Sequence, residues 1–223
     1  GGDGRKLLNL FELLITTEGA NEIEVTNALV TERLQKNLAQ YDKDGEQHYD
    51  IISAFIKSIR GSDPDAAVYW LARMLAGGES LEFIGRRLLI LASEDIGLAN
   101  PNALLLAQSC FDSIRVIGNP ESRIILSQTV IYLATSPKSN SAYNAINKAM
   151  AFVEQTGNLP VPLHLRNAPT RLMKDLNYGA DYKYPHDYPG NWVEQNYFPE
   201  VPSRPVFYKP SEQDKINRGT PSK

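Results

Sequence analysis

The sequence predicts an all-α protein: a helical bundle followed by a proline- and aromatic-rich extended C-terminal segment. Three observations predict it. From His48 to about Gln155 apolar residues recur at helical spacing in stretch after stretch. The breaks between stretches carry recognised helix starts and stops, such as Ser62-Asp63-Pro64 and Gly77-Gly78. After Gly157 prolines at 160, 162, 169, 185, 189, 199, 202, 205 and 210 leave room for one short helix only, about Pro169 to Leu176.

Taken in order, residues 1–40 read as two helices. Leu7, Leu8, Leu10, Phe11, Leu14 and Ile15 follow Asp3, an expected N-cap, and Val25, Leu29, Val30 and Leu34 share one face of the next. Residues 41–47 are polar, include Gly45 and read as a linker. Residues 48–157 form the main helical domain. Tyr49, Ile52, Phe55, Ile56 and Ile59 make an amphipathic face ended by Gly61. Asp63 caps the next helix, with Pro64 where a missing N–H is harmless. Ser80 caps Leu81 to Ala92, Asn100-Pro101 opens a helix running to Ile117, Asn119-Pro120 one running to Ala134, and Ser139 or Asn140 a last one ending at Gly157. Short connections make consecutive helices neighbours. In 158–210 the aromatics, among them Tyr178, Tyr182, Trp192, Phe198 and Phe207, are too many for a solvated tail, so this segment is expected to wrap the helical domain or an adjacent subunit. Residues 211–223 are polar and expected to be a mobile tail.

Composition narrows the function. A net charge of −3 argues against a domain devoted to neutralising phosphates. The single cysteine, Cys110, lies in an apolar helical pattern; no internal disulfide is possible, and a buried structural thiol in a reducing, cytoplasmic setting is expected. No apolar run approaches the roughly 20 residues that cross a bilayer. The three histidines lack metal-ligand spacing, which argues against a zinc site, and no catalytic residues are assigned.

The most concentrated basic stretch is His164, Arg166, Arg171 and Lys174, almost free of acid until Asp175, and Lys138 is a further candidate for the same surface. Two readings stand: contact with the phosphates of DNA or with an acidic partner segment, or hydrogen bonds by which His164 and Arg166 tie a proline-rich loop to helix carbonyls. Glu94 and Asp95 are adjacent near a helix end; projecting about 100° apart they suit capping or interhelical ion pairing better than one metal ion. Tyr69, Trp70, Ile131 and Tyr132 sit in local apolar clusters and are candidates for a subunit interface.

Several phrases together carry a resemblance: RGSDPDAAVYWLARML (60–75), EDIGLANPNALLLAQ (94–108), YLATSPKSNSAYNA (132–145), PVPLHLRNAPTRLMKDLNYG (160–179) and YKYPHDYPG (182–190). In order and composition they resemble the C-terminal part of the replication-associated recombination protein A (MgsA) family of AAA+ ATPases. No GxxxxGK(S/T) loop and no strand ending in paired carboxylates occurs in the chain, so the resemblance implies a fragment lacking the ATPase core. It further implies a bundle like the clamp-loader collar that assembles a homotetramer, with ATP and magnesium bound by the parent and no cofactor by the fragment. Gly2-Asp3-Gly4-Arg5 is similar to the start of an AAA+ lid helix, which would make Arg5 a sensor-2 arginine directed at the nucleotide's γ-phosphate. DNA at stalled replication forks and single-strand-binding protein are the implied partners, and replication, recombination and repair the implied processes.

Overall fold

The computed structural model describes residues 26, 27 and 46–215. Apart from Thr26 and Asn27, the predicted helices of residues 1–40, residues 41–45 of the linker and the tail from 216 lie outside the described residues. Seven α-helices appear among those described: α1 (Glu46–Arg60), α2 (Pro64–Ala76), α3 (Leu81–Leu91), α4 (Asn102–Ile117), α5 (Ser122–Thr135), α6 (Ser141–Thr156) and the short α7 (Arg171–Asp175). No strand occurs among them. The chain divides into two compact units, one reaching Ala142 and including the residues from Pro210, the other Tyr143–Lys209.

Local chemistry sets the helix ends in the first unit. The Asp63 carboxylate accepts from Ala66 N at 2.9 Å with Pro64 in the first turn, and Ser80 Oγ accepts from Phe83 N at 3.3 Å; each satisfies an amide that has no partner within its helix. α2 ends in a Schellman turn, with Glu79 N on Met74 O, Gly78 N on Leu75 O and Gly78 at φ 72°. α1 ends in the same turn one residue later than Gly61 suggests. Asp63 N bonds Ser58 O, Ser62 N bonds Ile59 O, and the left-handed residue is Ser62 at φ 63°.

Among the described residues, α1 to α5 all contribute to the core of this unit. Phe55 and Ile59 of α1, Leu71 of α2, Ile84 and Leu88 of α3, Ile114 of α4, and Leu126, Val130 and Leu133 of α5 are buried in one cluster. α5 packs against each of α1, α2, α3 and α4. That central position accounts for its sequence, apolar on almost every side with Arg123 its one charge. α3 and α4 approach closely at Gly85, where a methyl group would lie 2.7 Å from Phe111 Cδ2 and 3.0 Å from Ile114 Cδ1.

α3 continues past Leu91 into a π-turn, Ala92–Ile96, and a 3-10 turn, Gly97–Ala99. The wider π-turn re-aims the chain. Gly97 takes φ 47°, and a Cβ there would meet Ser139 O at 2.9 Å. Sequence periodicity places an ordinary helix end at Ala92 and misses this turn. Asn100 does not cap α4 with its side chain; its amide donates to Tyr132 Oη at 2.9 Å and Ser136 Oγ at 3.1 Å, holding α5 instead.

In the second unit the segment after Gly157 folds back on α6. Phe198 and Phe207 close on Phe152, with ring centroids 5.7–6.1 Å apart, and the guanidinium of Arg204 lies 5.6 Å from the Phe198 centroid. The short helix in this segment is α7, capped by Thr170 Oγ1 on Met173 N at 3.3 Å. Residues from Pro210 belong to the first unit again: Lys215 N bonds Leu98 O at 2.9 Å, and Asp214 Oδ2 accepts from Ser141 Oγ at 2.8 Å. Specific bonds thus engage the first residues of a stretch whose polarity suggests fraying.

Candidate functional site

Three places gather side chains with chemical potential. The first surrounds the π-turn. Asp95 is buried, and Arg60, at the end of α1, donates from Nε to Asp95 Oδ1 at 2.5 Å and from Nη2 to Glu94 Oε1 at 3.3 Å. One guanidinium therefore joins the two adjacent carboxylates, each through a different nitrogen. Lys138 lies nearby in the electrostatic sense. Its Nζ donates to Ala134 O at 2.9 Å, Ser136 O at 2.6 Å and Ser62 Oγ at 3.0 Å, which uses all three ammonium protons. Burial pushes its pKa down and the charge of Asp95 pulls it partly back. Lys138 closes the C-terminus of α5 onto the α1–α2 turn, where the hydroxyl of left-handed Ser62 receives it.

The second place is the basic stretch of the second unit. His164 Nε2 lies 2.7 Å from Asn196 O; a carbonyl only accepts, so this nitrogen carries the proton. Arg166 donates from Nε to Val161 O at 2.7 Å and from Nη1 to Tyr178 Oη at 3.0 Å, and stacks on the Tyr178 ring 4.9 Å from its centroid. These two residues bind their own loop. Arg171 and Lys174, on α7, are exposed and make no side-chain hydrogen bond or ion pair among the described residues. A cleft of ≈480 Å³ borders the stretch, with Leu163, His164, Asp181, Lys183 and Gln195 in its wall. The Gln195 amide pairs with both backbone groups of Lys183, at 3.0 and 3.1 Å.

The third place is apolar. Between α2 and α5 runs a groove of ≈530 Å³ lined by Val68, Leu71, Ala72, Leu75, Ile124 and Ser127, with Arg123 as its one charged wall. Of the four residues nominated from sequence for an interface, Tyr69 and Ile131 are exposed. Trp70 and Tyr132 are half-buried against the core, Tyr132 held by Asn100. Those four leave out Ile124, exposed at 63%, and a stripe on α6: Tyr143, Ile146, Met150 and Val153, exposed at 44%, 57%, 63% and 53%. Their i, i+3, i+7, i+10 spacing is a legible signal.

Cys110 is buried, and burial raises its thiol pKa. Among the described residues no group of three or more His, Cys, Asp or Glu side chains is placed to hold a metal ion, and no helix is long and apolar enough to cross a membrane. Arg5, the sensor-2 candidate, lies outside the described residues.

Residues 61–220 match the family described as "MgsA AAA+ ATPase C terminal", and residues 1–60 match "AAA C-terminal domain". Over 221 residues the chain is 45% identical to Replication-associated recombination protein A of Coxiella burnetii, covering 98% of this chain and 49% of that protein. The protein of the same name from Bacillus subtilis is 46% identical over 219 residues, covering 97% and 52%. That of Escherichia coli K12 is 38% identical over 226 residues, covering 100% and 49%. The chain spans about half the length of the curated relatives it matches.

Proposed function

Because the chain belongs to the MgsA AAA+ ATPase C-terminal family, we propose that it is the assembly module of a clamp-loader-like ATPase acting in DNA replication, recombination and repair at stalled forks. In this reading it is a collar-like helical scaffold that gathers four copies. ATP and magnesium are bound by the remainder of the longer protein, with Arg5 as the lid's contribution to the nucleotide, and the fragment itself carries out no chemistry. The observation that carries the reading is the apolar surface left over after each unit has built its core: Tyr69, Ile124 and Ile131 on α2 and α5, and the α6 stripe. Exposed apolar side chains grouped on helix faces mark surfaces covered by another chain. The test is the mass of the 223-residue chain by light scattering across a concentration series. A stable tetramer is expected; a monomer at every concentration would overturn the proposal.

A second reading is favoured by one observation, the exposure of Arg171 and Lys174 without partners among the described residues. In it these two cations contact DNA phosphates or an acidic partner such as single-strand-binding protein. Arg171→Glu with Lys174→Glu should then weaken DNA binding and flatten its salt dependence by about one unit of slope per lost contact. Unchanged binding would leave α7 with a structural role alone.

A further inference from the structure

Resting on the assembly reading, we propose that copies of this chain join head to tail, the α6 stripe of one copy entering the α2–α5 groove of the next, with Glu154 against Arg123. The stripe is an a/d pattern over nearly three turns: Tyr143, Ile146, Met150 and Val153 fall within about 80° around the helix axis. Phe152 projects from the far side, where Phe198 and Phe207 cover it. The stripe runs about 15 Å from Tyr143 to Val153, and Val68 to Leu75 give the groove wall about 10 Å at the same rise per residue. A ridge of side chains on one helix entering the furrow between two others is the ordinary geometry of helix packing.

Charge selects the occupant. Arg123 is the single charge in the groove wall and makes no ion pair among the described residues. α6 has two charges, Lys148 and Glu154. Lys148 projects well away from the stripe, whereas Glu154 stands beside it, within about 40° of Met150. The stripe therefore presents apolar knobs flanked by one carboxylate, and the groove presents an apolar floor flanked by one guanidinium. Such a pair at the rim of an interface fixes register and direction. Groove and stripe are different surfaces, so the contact is heterologous: every copy offers one of each, and repetition closes into a ring when the rotation allows.

The test uses two variants of the 223-residue chain at exposed positions, Ile124→Glu in the groove and Ile146→Glu in the stripe, each checked for retained helicity by circular dichroism. Each alone should sediment as a monomer of 24.9 kDa. Mixed in equal amounts they should form a one-to-one pair of twice that mass, because each supplies the surface the other lacks. A mixture that stays monomeric, or a single variant that keeps the wild-type mass, would overturn the head-to-tail contact while leaving assembly itself standing. A wild-type chain that is monomeric throughout would overturn both. As a second arm, Arg123→Glu places two carboxylates together and should weaken association by roughly tenfold or more. Adding Glu154→Arg to the same chain should restore it; no recovery would remove Glu154 from the contact.

Discussion

Gly85→Ala sets two effects of opposite sign against each other. In an open helix the substitution stabilises by about 1 kcal/mol, through better helix propensity and fewer unfolded conformations. Gly85, however, is buried within α3, and the new methyl would stand 2.7 Å from Phe111 Cδ2 and 3.0 Å from Ile114 Cδ1. Ordinary contact begins near 3.5 Å, so the Phe111 ring must retreat by close to 1 Å. Phe111 is half-buried and has some freedom, but Ile114 is only 1% exposed and has none. Overpacking of this kind costs about 1–3 kcal/mol, which outweighs the gain and leaves a net loss of about 1 kcal/mol. Urea denaturation followed at 222 nm measures it, as a lowered midpoint at unchanged slope. Combining the change with Phe111→Leu should recover part of the loss, a coupling that a double-mutant cycle reads directly. A Gly85→Ala chain as stable as wild type or more so would refute the claim that α3 and α4 meet through this glycine.

The Arg60 cluster makes an asymmetric prediction. Arg60→Ala leaves the Asp95 carboxylate buried without its partner and should cost about 2–3 kcal/mol. Asp95→Ala returns a half-exposed guanidinium to water, where Glu94 still meets it, and should cost about 1 kcal/mol; equal costs in denaturation experiments would contradict this. Gly97→Ala should be among the more damaging single changes, by about 3 kcal/mol or more, since both its positive φ and Ser139 O oppose a side chain. At Cys110 the folded thiol has a raised pKa, so its contribution to stability is intact below the unfolded value of about 8.5 and fades as pH rises through the folded value. Between pH 8 and 10 the wild type should therefore lose more stability than Cys110→Ala does, and an identical alkaline decline in both would contradict the assignment.

What the sequence made legible follows from how local the causes are. Asp63, Pro64, Ser80 and the Gly77-Gly78 pair act on amides a few residues away, and each ends or starts a helix as their chemistry dictates. The all-α class follows from such signals together with periodicity. The misses have distant causes. Ser62 takes the left-handed place beside Gly61, where its hydroxyl meets Lys138, 76 positions on. Asn100-Pro101 does open α4, yet the bond from the Asn100 amide to α5 is not local, and the π-turn aims Asp95 at Arg60. Among the candidate residues, the basic stretch is legible as composition. That Arg166 is engaged by Tyr178 while Arg171 stands exposed depends on how the loop closes. The α6 stripe was legible in its spacing, and only exposure distinguishes it from a core face.

The central place of α5 bears on how this unit comes apart. A helix that touches four others cannot leave without uncovering all of them, so its opening and the unfolding of the whole unit are a single event. Peripheral stretches can fray and re-form on their own, whereas the amide protons of Leu126, Val130 and Leu133 are expected to exchange with solvent only when this unit unfolds as a whole. Whatever binds the outer faces of this helix therefore draws on the full cooperativity of the bundle, and reports its stability directly to any partner.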